Sequence, residues 1–528
     1  MATSVSVVDQ TTGARRAAAG AGLDEVGRGA LLALVATVYA VLVEGYHPFA
    51  EDGGLYLAGV RYLLDPSLYR WSRPFVTAHL HYSVFAPVLA GAVRWTGLSL
   101  EPVVLGAHLL CVWLTLFAAW LLAREMFARA EERAGAGRLL GAWLGLPVAG
   151  TSLTIADPYL TARSVSTPCV VFALAAAAHA AARVRDGRSG VRAAVLSAVA
   201  LLAGAAMHPL MAGYGAVCVA TYALLEARSK VTRALRWALA VVAAVALCVA
   251  MGQVARPESE ASRAVSLTRT YWFPGQWAWF ELLGLVGPLV VLAGLAWGAQ
   301  GRAQRGMARA CVAAGCGAVV VAVLFAHPLS RSLIVSRLQP LRLFQVVYVA
   351  MTVLLGGFLG RWMGGSGWRW AGAAAVLGAG MAVPAHFAFP ASARLEMPAR
   401  GDRWVRANAW SAAFLWARQH TPEDALFAID ADYISRPGED AESFRALAER
   451  SVLPDAAKDG GEASITPALA ESWAAGVAAQ RELSAITAEA RRERLVELGV
   501  TWVVLESRAA VDERCPYNNG VVKICPLR

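Results

Sequence analysis

The feature that most constrains this chain is a succession of apolar segments, each about as long as a bilayer is thick. A helix needs roughly 20 mostly apolar residues to cross the hydrocarbon core. The sequence contains about eleven such segments. They are 29–47, 101–123, 139–156, 166–183, 191–207, 209–226, 234–254, 278–299, 307–327, 340–361 and 369–390. The sequence therefore predicts an α-helical polytopic membrane protein with about eleven transmembrane helices.

Composition supports a membrane protein and argues against a nucleic-acid partner. Only 16% of the 528 residues are charged, whereas about 25% is usual for a soluble domain, and the mean hydropathy is +0.48. The net charge of +10 comes mostly from short loops between apolar segments. Nearly all the basic residues are arginine, the lysines being Lys230, Lys458 and Lys523. This usage is typical of a GC-rich bacterial genome, so we expect a bacterial plasma-membrane protein.

The charges of the loops predict the topology. If the tail 1–28 is cytoplasmic, the short arginine-rich loops of the membrane domain 29–390 lie on the cytoplasmic side, as the positive-inside rule requires. The first outer loop (48–100) and the C-terminal region (391–528) then lie outside. Segment 74–97 carries two histidines and two prolines. We interpret it as a re-entrant or interfacial helix, and if it spans the membrane, everything after it inverts.

The region after residue 391 is more charged and predicts a small α/β domain. The segments "ALFAID" (425–430) and "TWVVLES" (501–507) have the pattern of buried strands. Helical patterns lie between them. One is expected to begin with Thr466 as the N-cap and Pro467 at the first helical position, and another to end near Gly499.

The C-terminal segment "CPYNNGVVKIC" predicts a hairpin closed by a disulfide. Asn-Asn-Gly is a hairpin-turn signal, and Cys515 and Cys525 flank it. A disulfide requires an oxidising compartment, in agreement with an outer location of the C-terminal domain. The alternative is two free thiols.

Ionisable residues are concentrated on the predicted outer face, whereas nucleotide and zinc motifs are absent. The sequence has no GxxxxGK[ST], no GxGxxG after a strand, no HExxH and no paired CxxC, which disfavours an ATP-driven or NAD-linked enzyme. The outer set comprises Glu51, Asp52, Asp157, Arg163, His208, Arg331, Arg337 and Arg342. Ionisable residues at the edges of spans tend to line sites.

The chemistry of this set fits a phosphate-containing substrate, but each residue also has a simpler interpretation. Guanidinium groups bind phosphate in a bidentate manner, and a carboxylate suits proton abstraction or a divalent cation. Alternatively, Asp52 caps the following helix, Glu51 is solvated, Asp157 and His208 shape turns, and the outer arginines reach toward lipid headgroups.

Together these features resemble the GT-C glycosyltransferases, membrane enzymes that use polyprenyl-phosphate-linked sugars. The resemblance rests on the many spans, the acids directly after the first span in "EDGGLYLAGVRYLLDPSLY", and the segments "WVRANAWSAAFLWARQHTPEDALFAID" and "LGVTWVVLES". The chain departs from the family where "LDPSLY" replaces a turn of the type G-x-P.

The resemblance implies a reaction and roles for the outer residues. A polyprenyl-phosphate-linked sugar would donate its sugar, with inversion, to an unidentified acceptor at the outer leaflet. Asp52 would be the base, supported by Glu51, and Asp157 a supporting acid. The acidic pair would also suit Mg²⁺ or Mn²⁺, and no metal site is assigned. The phosphate-binding candidates are Arg163, His208, Arg331, Arg337 and Arg342.

Two other function classes stay open at this point. A transporter or flippase of a lipid-linked or anionic solute could use the same outer arginines, although the chain lacks the internal repeat and the mid-span acid that are common in transporters. A non-catalytic protein of GT-C-like fold would use the acids only as helix caps.

Overall fold

The computed structural model describes residues 5–226, 258–396, 408–511 and 514–527, with positions 234, 237–238 and 241–242 between them, and side chains from residue 24 onward. The helices of this part are α1 (Val5–Glu44), α2 (Glu51–Leu64), α3 (Arg73–Thr77), α4 (Phe85–Thr96), α5 (Leu100–Met126), α6 (Ala130–Ala142), α7 (Ala162–Arg185), α8 (Val191–Met207), α9 (Pro209–Leu225), α10 (Glu260–Leu267), α11 (Trp279–Gly298), α12 (Arg302–Phe325), α13 (Ile334–Leu338), α14 (Phe344–Met363), α15 (Gly367–Ala388), α16 (Ala409–His420), α17 (Phe444–Ala448), α18 (Lys458–Ile465), α19 (Ala470–Gln480) and α20 (Ala488–Val496).

Seven helical segments of the described residues are long and apolar enough to cross a membrane. They are Asp24–Glu44 within α1, α5, α7, α11, α12, Ile334–Met363 (α13 with α14) and α15. The apolar helices α8 and α9 are shorter. The segment containing α14 is the most enclosed of the seven, with 83% of its apolar window buried, so it runs through the middle of the bundle. The predicted fold class, a polytopic helical membrane protein with a small α/β domain, is confirmed, whereas the number of spans is not.

The span expected at 139–156 was a wrong prediction. Helix α6 ends at Ala142, and the chain then folds back on itself through a bridge between Pro147 and Thr154. Glycine and proline interrupt the segment and break the helix. Its leucines and valine are buried or, for Leu146, half-buried among other helices, so its apolar character reflects protein packing and not contact with lipid. The expected span 234–254 lies almost entirely outside the described residues.

Segment 48–100, which the sequence predicts to be the first outer loop, contains three α-helices, α2, α3 and α4. Segment Arg73–His81 and α4 meet at a bend of 100°. A bend of this size fits a re-entrant segment and a broken span alike, so the interpretation of 74–97 stays a prediction.

The C-terminal region contains a five-stranded sheet in the order β2-β1-β3-β5-β4. The strands are β1 (Leu426–Ile429), β2 (Ser451–Val452), β3 (Trp502–Glu506), β4 (Tyr517–Asn518) and β5 (Val522–Pro526). Strand β1 is parallel to both of its neighbours, β2 and β3, and the remaining pairs are antiparallel. Both predicted strands are present and buried. A 3-10 turn follows Thr466, but its side chain makes no capping hydrogen bond, which corrects the expected N-cap.

The predicted hairpin and disulfide are both present. Strands β4 and β5 pair in an antiparallel manner, and Gly520 has a φ of 87°, a left-handed conformation that glycine adopts without strain. Cys515 and Cys525 are joined, with their Cα atoms 4.4 Å apart.

The α/β domain lies directly over the loop that joins α1 to α2. Tyr46 donates its amide to the carbonyl of Arg394 at 2.8 Å and accepts from the amide of Glu396 at 2.9 Å. The amide of Ser443 also donates to the carbonyl of Phe49 at 3.2 Å. These backbone hydrogen bonds bring the domain against the start of α2, where Glu51 and Asp52 lie.

Candidate functional site

The start of α2 is shaped by close backbone packing. Glu51 has a φ of 49°, an unfavourable conformation for a residue with a side chain. A Cβ atom on Gly53 would lie 2.7 Å from the carbonyl oxygen of Pro48, and one on Gly54 would lie 2.2 Å from Cβ of Ser443. The two glycines therefore let α2 begin in direct contact with its own loop and with the α/β domain.

Asp52 makes no capping hydrogen bond and instead faces two cations. Helix α2 has Ala50 at its N-cap and no side-chain cap. Oδ1 of Asp52 lies 3.2 Å from Nζ of Lys458, and its Oδ2 lies 3.5 Å from Nη1 of Arg163. The Asp52 side chain remains 33% exposed, so a ligand can reach the carboxylate. The described contacts therefore do not support the interpretation of Asp52 as only a helix cap.

Arg163 is held in place by Asp157. It is the second residue of α7, whose N-cap Thr161 accepts a hydrogen bond from the amide of Ser164. Oδ2 of Asp157 accepts from Nε and Nη2 of Arg163 at 3.2 and 2.7 Å. Asp157 is in turn fixed by the hydroxyl of Thr154 at 2.8 Å. The buried guanidinium thus has one carboxylate that positions it and a second, Asp52, that is accessible.

Lys458 is a site residue that the sequence analysis missed. It is the first residue of α18, and its ammonium contacts both Glu51 and Asp52. A buried network holds the start of this helix: Asp459 pairs with Arg445 at 2.6 Å and accepts from the amide of Asp455 at 2.9 Å. The signal available in the sequence was that Lys458 is one of three lysines among 48 basic residues.

Arg342 completes the positive side of the site. Its guanidinium carbon lies 5.7 Å from the centre of the Tyr271 ring. Its Nε is buried without a hydrogen-bond partner, and within the described residues Arg342 forms no ion pair. It nevertheless lies within electrostatic range of Asp52 and Arg163. Arg342 therefore brings an unneutralised positive charge to this region.

The electrostatics of the site are dominated by these close pairs. Burial acts to raise the pKa of Asp52, but the charges of Lys458 and Arg163 outweigh it and hold the pKa well below its usual range. Burial alone would lower the pKa of Lys458. The negative charges of Asp52 and Glu51 have the larger effect and raise it above its usual range. Burial, together with the charges of Asp459 and Asp52, raises the pKa of Glu462 to about 8. Glu462 is therefore mainly protonated at neutral pH.

The other three predicted phosphate-binding residues are placed differently. Arg337 is fully engaged: it bonds Glu258 at 2.9 Å, the carbonyl of Ser464 at 2.8 Å, and two serine hydroxyls of α10. His208 lies within electrostatic range of Asp52, Arg163 and Arg342, but its Nδ1 is engaged in capping α9. It accepts a hydrogen bond from the amide of Met211 at 3.4 Å. Arg331 is exposed in the loop between α12 and α13, and no described contact joins it to Asp52.

The acidic pair does not fit a divalent cation in this arrangement. Among the described residues no group of three or more metal-binding side chains is close enough to hold a metal ion. The ammonium of Lys458 contacts both Glu51 and Asp52, and its charge would repel a divalent cation between them. We therefore derive no step through a metal.

Comparison with known proteins gives similarity to solved structures alone. No protein-family model and no curated protein matches the chain. The archaeal oligosaccharyltransferase AglB from Archaeoglobus fulgidus, in complex with an inhibitory peptide and a dolichol-phosphate, is similar at a TM-score of 0.49 and 11% identity, over 90% of this chain and 69% of that chain.

Two further structures of the Archaeoglobus fulgidus oligosaccharyltransferase give similar values. The form tethered to an acceptor peptide containing the NVT sequon has a TM-score of 0.49 and 12% identity, over 90% and 68% of the two chains. The apo form has a TM-score of 0.48 and 13% identity, over 90% and 69%. With identities of 11–13% and TM-scores below 0.5, the likeness is distant and assigns no residue of this chain a role.

Proposed function

We propose that this protein is a membrane glycosyltransferase that moves a sugar from a polyprenyl-phosphate donor to an acceptor hydroxyl. The observation that carries the proposal is the position of Asp52, which is accessible and lies between Arg163 and Lys458. Arg342, which forms no ion pair within the described residues, lies within electrostatic range of Asp52. An accessible carboxylate beside several cations provides a base next to an anion-binding site. The acceptor would be bound on the outer face, and the donor lipid would lie in the outer leaflet.

The donor phosphate would bind to Lys458 and Arg342, with Arg163 contributing a further positive charge. Arg342 has no carboxylate partner among the described residues, so its charge is available to an anion without breaking an ion pair. Lys458 would exchange part of its contact with Glu51 and Asp52 for the phosphate. Charge-assisted hydrogen bonds of this type are the strong ones, and they would stabilise the phosphate as it becomes the leaving group.

Donor binding would also activate Asp52. In the ligand-free structure the pKa of Asp52 is held far below its usual range, and a carboxylate with such a low pKa is a weak base. When the phosphate takes over Lys458, the carboxylate loses a neutralising partner and gains a nearby anion. Both changes raise its pKa, so Asp52 would become a competent base only when the donor is bound.

The reaction would be a single displacement at the sugar carbon. Asp52 accepts the proton of the acceptor hydroxyl while the acceptor oxygen forms a bond to the anomeric carbon. The bond from that carbon to the phosphate oxygen breaks, and its electron pair leaves with the polyprenyl phosphate. A single displacement inverts the configuration at the sugar carbon.

The phosphate site can be tested with polyprenyl monophosphate as the probe. We expect Arg342→Gln to weaken its binding to the purified protein by at least about tenfold, the ratio expected when one charge-assisted hydrogen bond is lost. The matched control is Arg331→Gln, an exposed arginine for which we expect little change. Equal affinity of the wild type and Arg342→Gln would remove Arg342 from the site.

A further inference from the structure

A second feature of the membrane domain is a groove along Arg28–Tyr39 of α1, beside the end of the apolar segment Asp24–Glu44 that is far from Asp52. Helices α1, α6 and α15 enclose about 550 Å³ there, a volume typical of small-molecule sites. The groove is lined mainly by leucine, valine and alanine side chains from the three helices. Within the described residues, α15 packs only lightly on the bundle, with 11% of its apolar window buried, and no described helix covers the groove on the outer side of α15.

The groove is closed toward the middle of the membrane. The hydroxyl of Tyr39 on α1 donates to the carbonyl of Ala374 on α15 at 2.6 Å. Gly378 lets the helices meet at this point, because a Cβ atom there would lie 2.4 Å from the Tyr39 oxygen. From Arg28 to Tyr39 the helix rises roughly 16 Å, about half of the ~30 Å hydrocarbon core. The groove therefore has the depth of one leaflet.

The open end of the groove carries two arginines without acidic partners. Arg28 and Arg138 both line it and are both exposed, and neither forms an ion pair within the described part of the chain. The guanidinium carbon of Arg138 lies 4.7 Å from the centre of the Trp370 ring. In contrast, the neighbouring Arg133 is paired with Glu25. The mouth of the groove thus has uncompensated positive charge beside an interfacial tryptophan.

We propose that this groove binds an anionic phospholipid, with its phosphate between Arg28 and Arg138 and an acyl chain along α1 and α15. The apolar walls and the one-leaflet depth match an acyl chain. The two guanidinium groups match a phosphate, and tryptophan is enriched at the level of headgroups. Anionic lipid is attracted to basic segments at a membrane surface. This site lies at the opposite membrane face from Asp52 and does not depend on the proposed glycosyl transfer.

The test compares phosphatidylglycerol with phosphatidylcholine of the same acyl chains, titrated onto the purified full-length protein and counted by native mass spectrometry. The wild type is expected to bind phosphatidylglycerol at least about tenfold more tightly. The double variant R28Q/R138Q is expected to lose this preference. The matched control R188Q/R192Q is expected to keep it; this variant removes two exposed arginines, Arg188 in the loop before α8 and Arg192 in the first turn of α8.

Two further measurements distinguish phospholipid binding in the groove from binding to surface charge in general and from binding of a carrier lipid. Val35→Trp places a large side chain in the groove and is expected to weaken binding of both phospholipids, with thermal unfolding reported alongside to verify folding. Equal phosphatidylglycerol binding by the wild type and R28Q/R138Q would overturn the proposal. Tighter binding of polyprenyl phosphate, in competition with phosphatidylglycerol, would also overturn it, because the groove would then hold a carrier lipid.

Discussion

Lys458 provides a demanding test of how the α/β domain contributes to the site. Its Nζ lies 3.2 Å from Oδ1 of Asp52, and at this distance a partly exposed pair interacts by about 1 to 3 kcal/mol once solvent screening is included. Replacing Lys458 by glutamine should therefore raise the pKa of Asp52 toward its usual range. It would also remove a charge-assisted hydrogen bond to the donor phosphate.

We expect Lys458→Gln to lower kcat/KM for a polyprenyl-phosphate sugar by roughly 10- to 100-fold, since a hydrogen bond to a charged group contributes about 1.5–3 kcal/mol. Asp52 must be ionised to act as a base, so activity is lost as the pH falls through its pKa. In the wild type this acidic limb lies below the usual range of aspartate. In Lys458→Gln the acidic limb of kcat/KM should move up toward the usual range of aspartate.

The assay is release of polyprenyl phosphate from labelled donor by purified protein in lipid nanodiscs, measured across pH. Arg508→Gln is the control, because Arg508 belongs to the same domain and is 85% exposed. A purely structural role for Lys458 would lower activity and thermal stability without moving the acidic limb. If Lys458→Gln has the same kcat/KM as the wild type and the acidic limb lies at the same pH, the assignment of Lys458 to the site is refuted.

Three further predictions concern stability. Gly54→Ala places a methyl group against Ser443, and the overpacking should destabilise the contact of α2 with the α/β domain by about 1–3 kcal/mol, measured as a fall in Tm. The raised pKa of Glu462, about 8 against an ordinary 4.5, costs stability as the pH rises from about 4.5 to 8, so Glu462→Gln should raise Tm at pH 8 and leave it unchanged near pH 4. Reduction of the Cys515–Cys525 disulfide should destabilise the domain by about 2–3 kcal/mol, followed as protease sensitivity with and without reductant.

Each of these predictions has a matched comparison. Gly91→Ala on α4 adds a methyl group where no atom lies within 4 Å, and it should leave Tm unchanged. A similar loss in both glycine variants would refute the packing argument. A Tm gain of Glu462→Gln that is equal at pH 4 and pH 8 would show that the pKa of Glu462 is not raised. Unchanged protease sensitivity under reductant would show that the disulfide does not stabilise the hairpin.

Part of the site could be predicted from sequence because charge at the ends of spans is visible there. Glu51, Asp52, Asp157 and Arg163 all follow or precede apolar segments, and the structure brings them together. Lys458 could not be placed, because it is 406 residues from Asp52 and reaches it only when the α/β domain packs over α2. The signal that the sequence did offer is that lysine is rare in this chain, which makes each lysine a candidate for a specific role.

The remaining differences arise because burial and partner choice depend on tertiary structure. The sequence shows that Arg337 is a basic residue near a span. It does not show that the Arg337 guanidinium already donates hydrogen bonds to Glu258 and to two serines of α10. Likewise, hydropathy cannot distinguish a segment facing lipid from one enclosed by protein. The segment after Ala142 is of the second kind and therefore resembled a span. Strands β1 and β3 were predictable, because short buried apolar runs with flanking polar residues have few alternatives.

The most direct test of the central claim is Asp52→Asn, with donor consumption and donor binding measured on the same preparation. Asp65→Asn, an exposed acid at the other end of α2, is the control. The proposed mechanism predicts that Asp52→Asn consumes polyprenyl-phosphate sugar at least about 10²-fold more slowly, while it binds the donor as tightly as the wild type or more tightly. Equal consumption by the wild type and Asp52→Asn, or no consumption by the wild type itself, would contradict it.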